Sequence, residues 1–319
     1  MRALVGILAA GAVLASAAWT AAVPAPPVAE GSLSASTVPA GGFPKTIVDP
    51  LGARATLSAP PRRIVSIELS GDELLLGLVG PDRLVGVTPY VDDPSTTLSQ
   101  PLAPRQAARV TEEDPEALLA LRPDLVVTAG YTRAEAIVVL EAAHVPVLGT
   151  GAHATLDDVL AAILVLGDAV GEPERARTWV SALHVRLNAI DARPRPARPP
   201  RVLLWEGGYT YAAGTLPDDL VRRAGGVNVA TDAGLKGPVA ISEEGAVALS
   251  PEVVIVPIDE AAPRWHDVAL VGDAPVWGAV EAVRARRVYG VPRAWIGSVS
   301  HHAVRALEAV ADIVREPAP

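Results

Sequence analysis

Cysteine is absent from all 319 residues. That excludes a disulfide, a thiolate metal site, a thiol nucleophile and a lipid-modified cysteine anchor. Other chemical signatures are missing as well. No serine sits in a strained nucleophile elbow, no histidine pair has metalloprotease spacing, and no Gly-rich loop carries the lysine of a phosphate-binding loop. Gly207-Gly208 is a loop glycine pair and little more, and the adjacent acids Asp92-Asp93 read as solvated charge. The sequence therefore points to no enzyme activity and no intrinsic cofactor. Positive charge is in deficit too. A net charge of -9 argues against a nucleic-acid binder or a polybasic membrane binder.

Half the residues are apolar, and the length suffices for two domains. Met1-Arg2 followed by apolar Ala3 to Ala22 reads as an export signal, with small residues at Ala15-Ser16-Ala17 and Thr20-Ala21-Ala22 for cleavage. A signal peptide over 1–22 and a flexible Pro/Ala/Gly/Ser-rich leader over 23–44 are expected, giving a soluble periplasmic protein.

Structure should begin near Lys45. Thr46 to Val48 and Arg54 to Leu57 flank Asp49-Pro50-Leu51-Gly52-Ala53 as a hairpin. Short β-rich runs then alternate with helical runs as far as Val170, which implies an α/β layer with a parallel sheet over 45–170. From Gly171 to Asp191, Ala176, Trp179, Val180, Leu183, Leu187 and Ile190 recur at helical spacing, and Pro173 suits the first turn. The proline-rich run Arg193 to Pro200 ends that helix, at about 1.5 Å per residue a span of roughly 30 Å.

The second half repeats units of the first. Glu116 to Val127 and Glu244 to Ile255 are both a helix, a proline turn with an acid, and a buried strand, displaced by 128 residues. Two lobes of one architecture, 45–170 and 193–319, would then be joined by an interlobe helix over 171–192. The fold class expected is α/β, with two Rossmann-like lobes around mostly parallel sheets.

Aromatics are only 4% of the chain, yet Tyr90, Tyr131, Tyr209, Tyr211 and Trp295 all fall in loops at or just after strands. If the lobes face each other, these loops meet in a shared cleft, where flat rings cover a large planar or apolar ligand. Arg105, Arg109, Arg133 and Arg293 are the cations available to an anionic ligand. Ser300-His301-His302 opens the last helix. Either histidine is a candidate iron ligand, but neighbours on a helix diverge by about 100° and do not easily share one metal. One of them is expected to line the cleft and the other to face water.

Taken together, Thr46 to Gly52, Pro61 to Ile67, Glu116 to Val127, Gly225 to Val229, Ile241 to Val256 and Arg287 to Pro292 resemble the periplasmic substrate-binding proteins that feed iron-siderophore, haem and cobalamin ABC importers. The resemblance implies two Rossmann-like lobes on one long helix, a ligand held between them with limited hinge motion, and a partner permease with its ATPase. The protein itself would be a monomer. The family docks one acid on the outer surface of each lobe against permease arginines, and Glu73 and Glu244 match those positions. Tyr90 and Trp295 match contact aromatics of the cobalamin branch. Ala129-Gly130-Tyr131 lacks that branch's tryptophan, and Glu68-Leu69-Ser70 departs from its usual Ser-Pro pattern. A haem ligand would give His301 or a cleft tyrosine an iron-ligating role. A ligand-binding sensor or adaptor, or an α/β enzyme using the cleft, are the alternative readings.

Overall fold

The computed structural model describes residues 42–50, 52–111, 114–128 and 134–317. The expected export signal and most of the expected leader, as well as Tyr131 and Arg133, lie outside the described residues. No described helix is long and apolar enough to cross a membrane.

The chain opens with an antiparallel hairpin, β1 (Lys45–Val48) and β2 (Arg54–Leu57). Asp49 makes its turn, accepting the Ala53 N–H at 2.8 Å, and its other oxygen accepts the Gly149 N–H at 2.9 Å, which pins the hairpin to the first sheet. That sheet contains β3 (Ile64–Ser66), β4 (Leu84–Val87), β5 (Ala108–Arg109), β6 (Leu125–Thr128) and β7 (Val147–Gly149). All pairs are parallel, in the order β5-β4-β3-β6-β7. Helices α1 (Leu69–Val79), α2 (Pro115–Ala120), α3 (Ala134–Ala142) and α4 (Leu156–Ala169) connect or follow these strands.

The second lobe contains β8 (Arg201–Leu204), β9 (Tyr209–Tyr211), β10 (Val227–Asn228), β11 (Pro238–Ala240), β12 (Val253–Ile258) and β13 (Val288–Pro292). Its parallel sheet has the order β10-β8-β12-β13, while β9 and β11 pair as a small antiparallel ribbon. In both lobes the first strand is central, the second lies to one side, and the third and fourth lie to the other. The lobes therefore share one topology, with β5 an added edge in the first.

The duplication extends to atomic detail. Arg63 donates to the carbonyls of Leu121 and Arg122 at 2.6 and 2.9 Å, capping the end of α2. Arg201 does the same to Leu249 and Ser250 at 3.0 and 3.3 Å, at the end of α8 (Glu243–Ala248). Arg122 and Ser250 both stop their helix in the left-handed region, at φ 49° and 52°. The acid after each proline, Asp124 or Glu252, accepts backbone N–H groups from the start of the lobe's first strand.

Between the sheets runs α5 (Pro173–Asp191), and all six residues of its expected apolar stripe are buried. It crosses its neighbours closely at two glycines. A Cβ on Gly77 of α1 would lie 2.2 Å from the Trp179 ring, and one on Gly167 of α4 would lie 2.2 Å from the Ala176 Cβ. On its other side, Arg186 makes a two-pronged ion pair with Glu308 of α11 (Ala303–Arg315), at 2.8 and 2.6 Å. The lobe is completed by α6 (Leu216–Ala224), α7 (Val229–Asp232), α9 (Glu281–Arg284) and α10 (Arg293–Ile296). A 3-10 turn at Pro275–Ala279 leads into the short α9. One hydrophobic cluster includes residues of both lobes and of α5, and each lobe adds a smaller cluster of its own.

Candidate ligand-binding cleft

In open parallel sheets ligands collect beyond the carboxyl ends of the strands. A cavity of about 530 Å³ occupies that place here. The second lobe supplies Leu204 at the end of β8 and Glu206 just after it, Tyr211 at the end of β9, Pro257 of β12, and Arg293, Ile296 and Val299 beyond β13. The first lobe supplies Ala152 and His153 beyond β7, so both lobes meet at the cavity.

Glu206 organises the second-lobe wall. One oxygen accepts the Tyr211 hydroxyl and the other accepts the Arg293 guanidinium. Arg293 also donates through Nε to Asp259 at 2.8 Å. Burial pushes the Tyr211 hydroxyl above its ordinary range, so it stays neutral. His153 is buried at a left-handed φ of 44°, and its Nε2 has no hydrogen-bond partner in the protein. Burial depresses its pKa and keeps the imidazole neutral.

Of the residues the sequence nominated, Tyr211 and Arg293 line this cavity. Tyr90 and Tyr209 are 59% and 55% exposed and do not line it. Arg105 is a correction: it borders a separate depression with Leu84 and Ala108, at the amino end of the first sheet and opposite the cleft. Arg109 is engaged by Asp92 at 2.6 and 2.7 Å. Trp295 is also corrected. It is 1% exposed and stacks under the Arg305 guanidinium at 4.2 Å, inside the core. The loop after β13 turns inward there and leaves Arg293 and Ile296 on the wall.

His301 and His302 are both buried, so neither faces water and neither lines the cavity. His301 packs edge-on against Trp179 at 4.6 Å, and His302 takes Ser99 Oγ at 2.9 Å on Nε2. Burial pushes both pKa values down, that of His302 to about 3. No group of three or more His, Asp or Glu able to hold a metal occurs among the described residues.

Glu73 is the largest correction. It does not lie on an outer surface: it is 1% exposed, on a helix with ten buried residues. Its carboxylate accepts Thr97 from its own lobe and Ser298 Oγ at 3.0 Å from the other, with His302 Nε2 3.8 Å away. Burial raises its pKa to about 7 against the pull of the Ser300, Thr97 and Ser298 hydroxyls. Glu244 is exposed as expected, in the first turn of α8, where the helix N–H groups and Ser242 hold its pKa down. Glu116, its counterpart across the duplication, is likewise exposed in the first turn of α2 behind the Asp114 cap.

Reasoning from sequence missed Glu206, Asp259 and His153. The available signal was position: each follows a parallel strand at its carboxyl end.

A family model described as periplasmic binding protein matches residues 64–294. A cobalamin-binding protein of Halobacterium salinarum is 28% identical over 217 residues, covering 67% of this chain and 58% of that protein. An uncharacterized ABC transporter substrate-binding lipoprotein of Bacillus subtilis is 25% identical over 261 residues, 78% of each chain. Among solved structures, the apo periplasmic heme-binding protein of Roseiflexus superposes with a TM-score of 0.66 at 22% identity, over 79% of this chain and 97% of that one.

Proposed function

We propose, from the premise that the chain belongs to the periplasmic binding protein family, that it is the substrate-binding component of an ABC importer and captures a metal chelate, that is an iron-siderophore, corrinoid or haem, between its lobes. The observation that carries this reading is the cavity at the carboxyl ends of two parallel sheets that share a four-strand order, walled from both lobes. The kinds of protein it resembles, a cobalamin binder, a heme binder and an importer lipoprotein, support the cargo class. The chain divides on this reading into a lobe over 45–170, the interlobe helix over 171–192 and a lobe over 193–319. Export by the amino-terminal signal delivers it to the periplasm, where it acts without catalysis.

Docking to the permease falls to Glu116 and Glu244. They occupy equivalent places in the two lobes, both are exposed, and both ride on the first turn of a short capped helix. Glu73, buried under both lobes, is withdrawn from that role. Exposed ion pairs of this sort set orientation and encounter rate more than affinity, which suits a transient complex.

Titration of the purified protein with a ferric siderophore, cyanocobalamin and hemin, read by calorimetry and absorbance, tests the reading. Saturable one-to-one binding of one class is expected, and no binding of any of them refutes it. Glu116→Ala with Glu244→Ala should slow association with the reconstituted permease about tenfold and leave chelate affinity unchanged. Unaltered association would refute the docking assignment.

A further inference from the structure

We propose that Glu73 and His302 form a proton-neutral latch across the two lobes: each is uncharged while the lobes are together, and when they part the proton that Glu73 releases is matched by one that His302 takes up. The two groups face each other across the seam, with Glu73 Oε1 3.8 Å from His302 Nε2. Each is also bonded to the opposite lobe. Glu73 of the first accepts Ser298 Oγ at 3.0 Å, and His302 of the second meets Ser99 Oγ at 2.9 Å. Neither residue lines the cavity, so the latch is separate from the cavity wall.

The surroundings favour the neutral form of both. The hydrogen-bond donors to Glu73 are hydroxyls, Thr97 and Ser298, with Ser300 behind Ser298 at 2.9 Å. An imidazolium needs an acceptor on each nitrogen, yet His302 Nδ1 has no hydrogen-bond partner in the protein. Asp72, next along α1, gives its carboxylate to Thr88 at 2.6 Å and is a like charge to Glu73, while His301 packs on Trp179 of α5. Burial, and after it the charges of Arg305 on α11 and Arg186 on α5, push His302 from 6.5 down to about 3, and burial raises Glu73 from 4.5 to about 7. For Glu73, parting is favoured as pH rises from 4.5 to about 7; for His302, as pH falls from 6.5 to about 3. Between 4.5 and 6.5 parting therefore moves one proton from Glu73 to His302 and exchanges none with solvent. Either group by itself would change the hold between the lobes about tenfold per pH unit, and together they cancel.

Amide hydrogen exchange of the purified protein, each rate divided by that of an unstructured peptide at the same pH, reads how often the seam opens. Peptides around Ser99 and Ser300 report parting, and β12 reports global unfolding. In the unmodified protein, seam opening should change by no more than about threefold from about pH 4.5 to 7.5. Glu73→Gln removes the acid and should make opening about 100-fold more frequent at the acid end than at the alkaline end. His302→Gln, which keeps a polar amide for Ser99, removes the base and should give a slope of about 100-fold in the opposite direction. A steeper dependence in the unmodified protein, single-variant slopes that share a sign or stay flat, or seam exchange no faster than that of β12 would each overturn the proposal. Ring nitrogen shifts of His302 in the unmodified protein cover the case of a variant that does not fold: beside the flat profile the ring must read neutral at about pH 5.5, and a protonated ring there overturns the proposal. None of these measurements involves a chelate, so failure of cargo binding would leave the latch standing.

Discussion

Replacing Glu73 with glutamine should change how stability depends on pH, and the sign follows from where the carboxylate sits. Glu73 is fully buried between the lobes, and its pKa is raised from 4.5 to about 7. The native state therefore holds a proton that the unfolded chain has released throughout that window. Stability from this group is complete below about pH 4.5 and is lost as pH rises through about 7. At about 1.4 kcal/mol per pH unit, the interval is worth about 3 kcal/mol.

The imidazoles act in the opposite direction. His302 falls from 6.5 to about 3 in the folded protein, so its contribution is complete above 6.5 and is lost as pH falls. His301 is depressed likewise, whereas the Glu68 and Asp72 carboxyls are raised by burial like Glu73. A melting profile of the unmodified protein alone would mix these opposed slopes. The difference between Glu73→Gln and the unmodified protein isolates one group. Measured by thermal melts from pH 4.5 to 8, that difference should move in favour of glutamine by about 3 kcal/mol, on the order of 6 °C. A difference that stays flat across this range would refute the assignment of a protonatable carboxyl to the seam.

Two further substitutions probe the frame around the cleft. Gly167→Ala, whose new methyl would fall 2.2 Å from the Ala176 Cβ where α4 crosses α5, should cost about 1–3 kcal/mol in urea denaturation, because neither backbone can retreat without opening the core. A cost below 0.5 kcal/mol, taken as an approximate threshold, would mean the crossing is looser than drawn. Arg63→Ala and Arg201→Ala each remove a cap from helix-end carbonyls and should each cost roughly 1–2 kcal/mol. Since one sits in each lobe, the double variant should show additive losses, and a large coupling energy would contradict the separateness of the two duplicated units.

How much of this was legible in the sequence depended on whether a pattern had a period. The α5 stripe was readable because a 3.6-residue repeat leaves one geometry that buries Ala176, Trp179, Val180, Leu183, Leu187 and Ile190 together. The duplicated unit was readable because each copy spells the same construction: a helix, a turn that halts it, a proline, and an acid that takes backbone N–H groups. The loops had no such constraint. Trp295 and His301 stood at strand ends or helix starts that suit a cleft, yet the segment after β13 folds inward, and burial of a large ring wins over exposure to a ligand site. Glu73 carried a warning that the motif match concealed. Leu74, Leu75, Leu76 and Leu78 leave α1 without a polar face, and a helix that is apolar all round is buried, with its few polar residues buried alongside. Glu206 escaped notice because its partners Tyr211 and Arg293, and Asp259 that Arg293 also binds, come from three other strand ends, and only the sheet order brings them together.

The same packing that hid Glu73 limits what capture can involve. A hydrophobic cluster runs from the first lobe through α5 into the second, and the glycine crossings at Gly77 and Gly167 leave no slack for α5 to slide. Across the seam, the Ser298 hydroxyl of one lobe is bound to the Glu73 carboxylate of the other, and Ser99 is bound to His302. Wide separation of the lobes would break these bonds and expose apolar surface at about 25 cal/mol per Å². Tyr90 and Tyr209, by contrast, are exposed and outside the cavity lining, so they take no part in the seam. On the proposed function, capture should therefore proceed with little movement between the lobes, the paired Glu206 and Arg293 staying in place on the cavity wall.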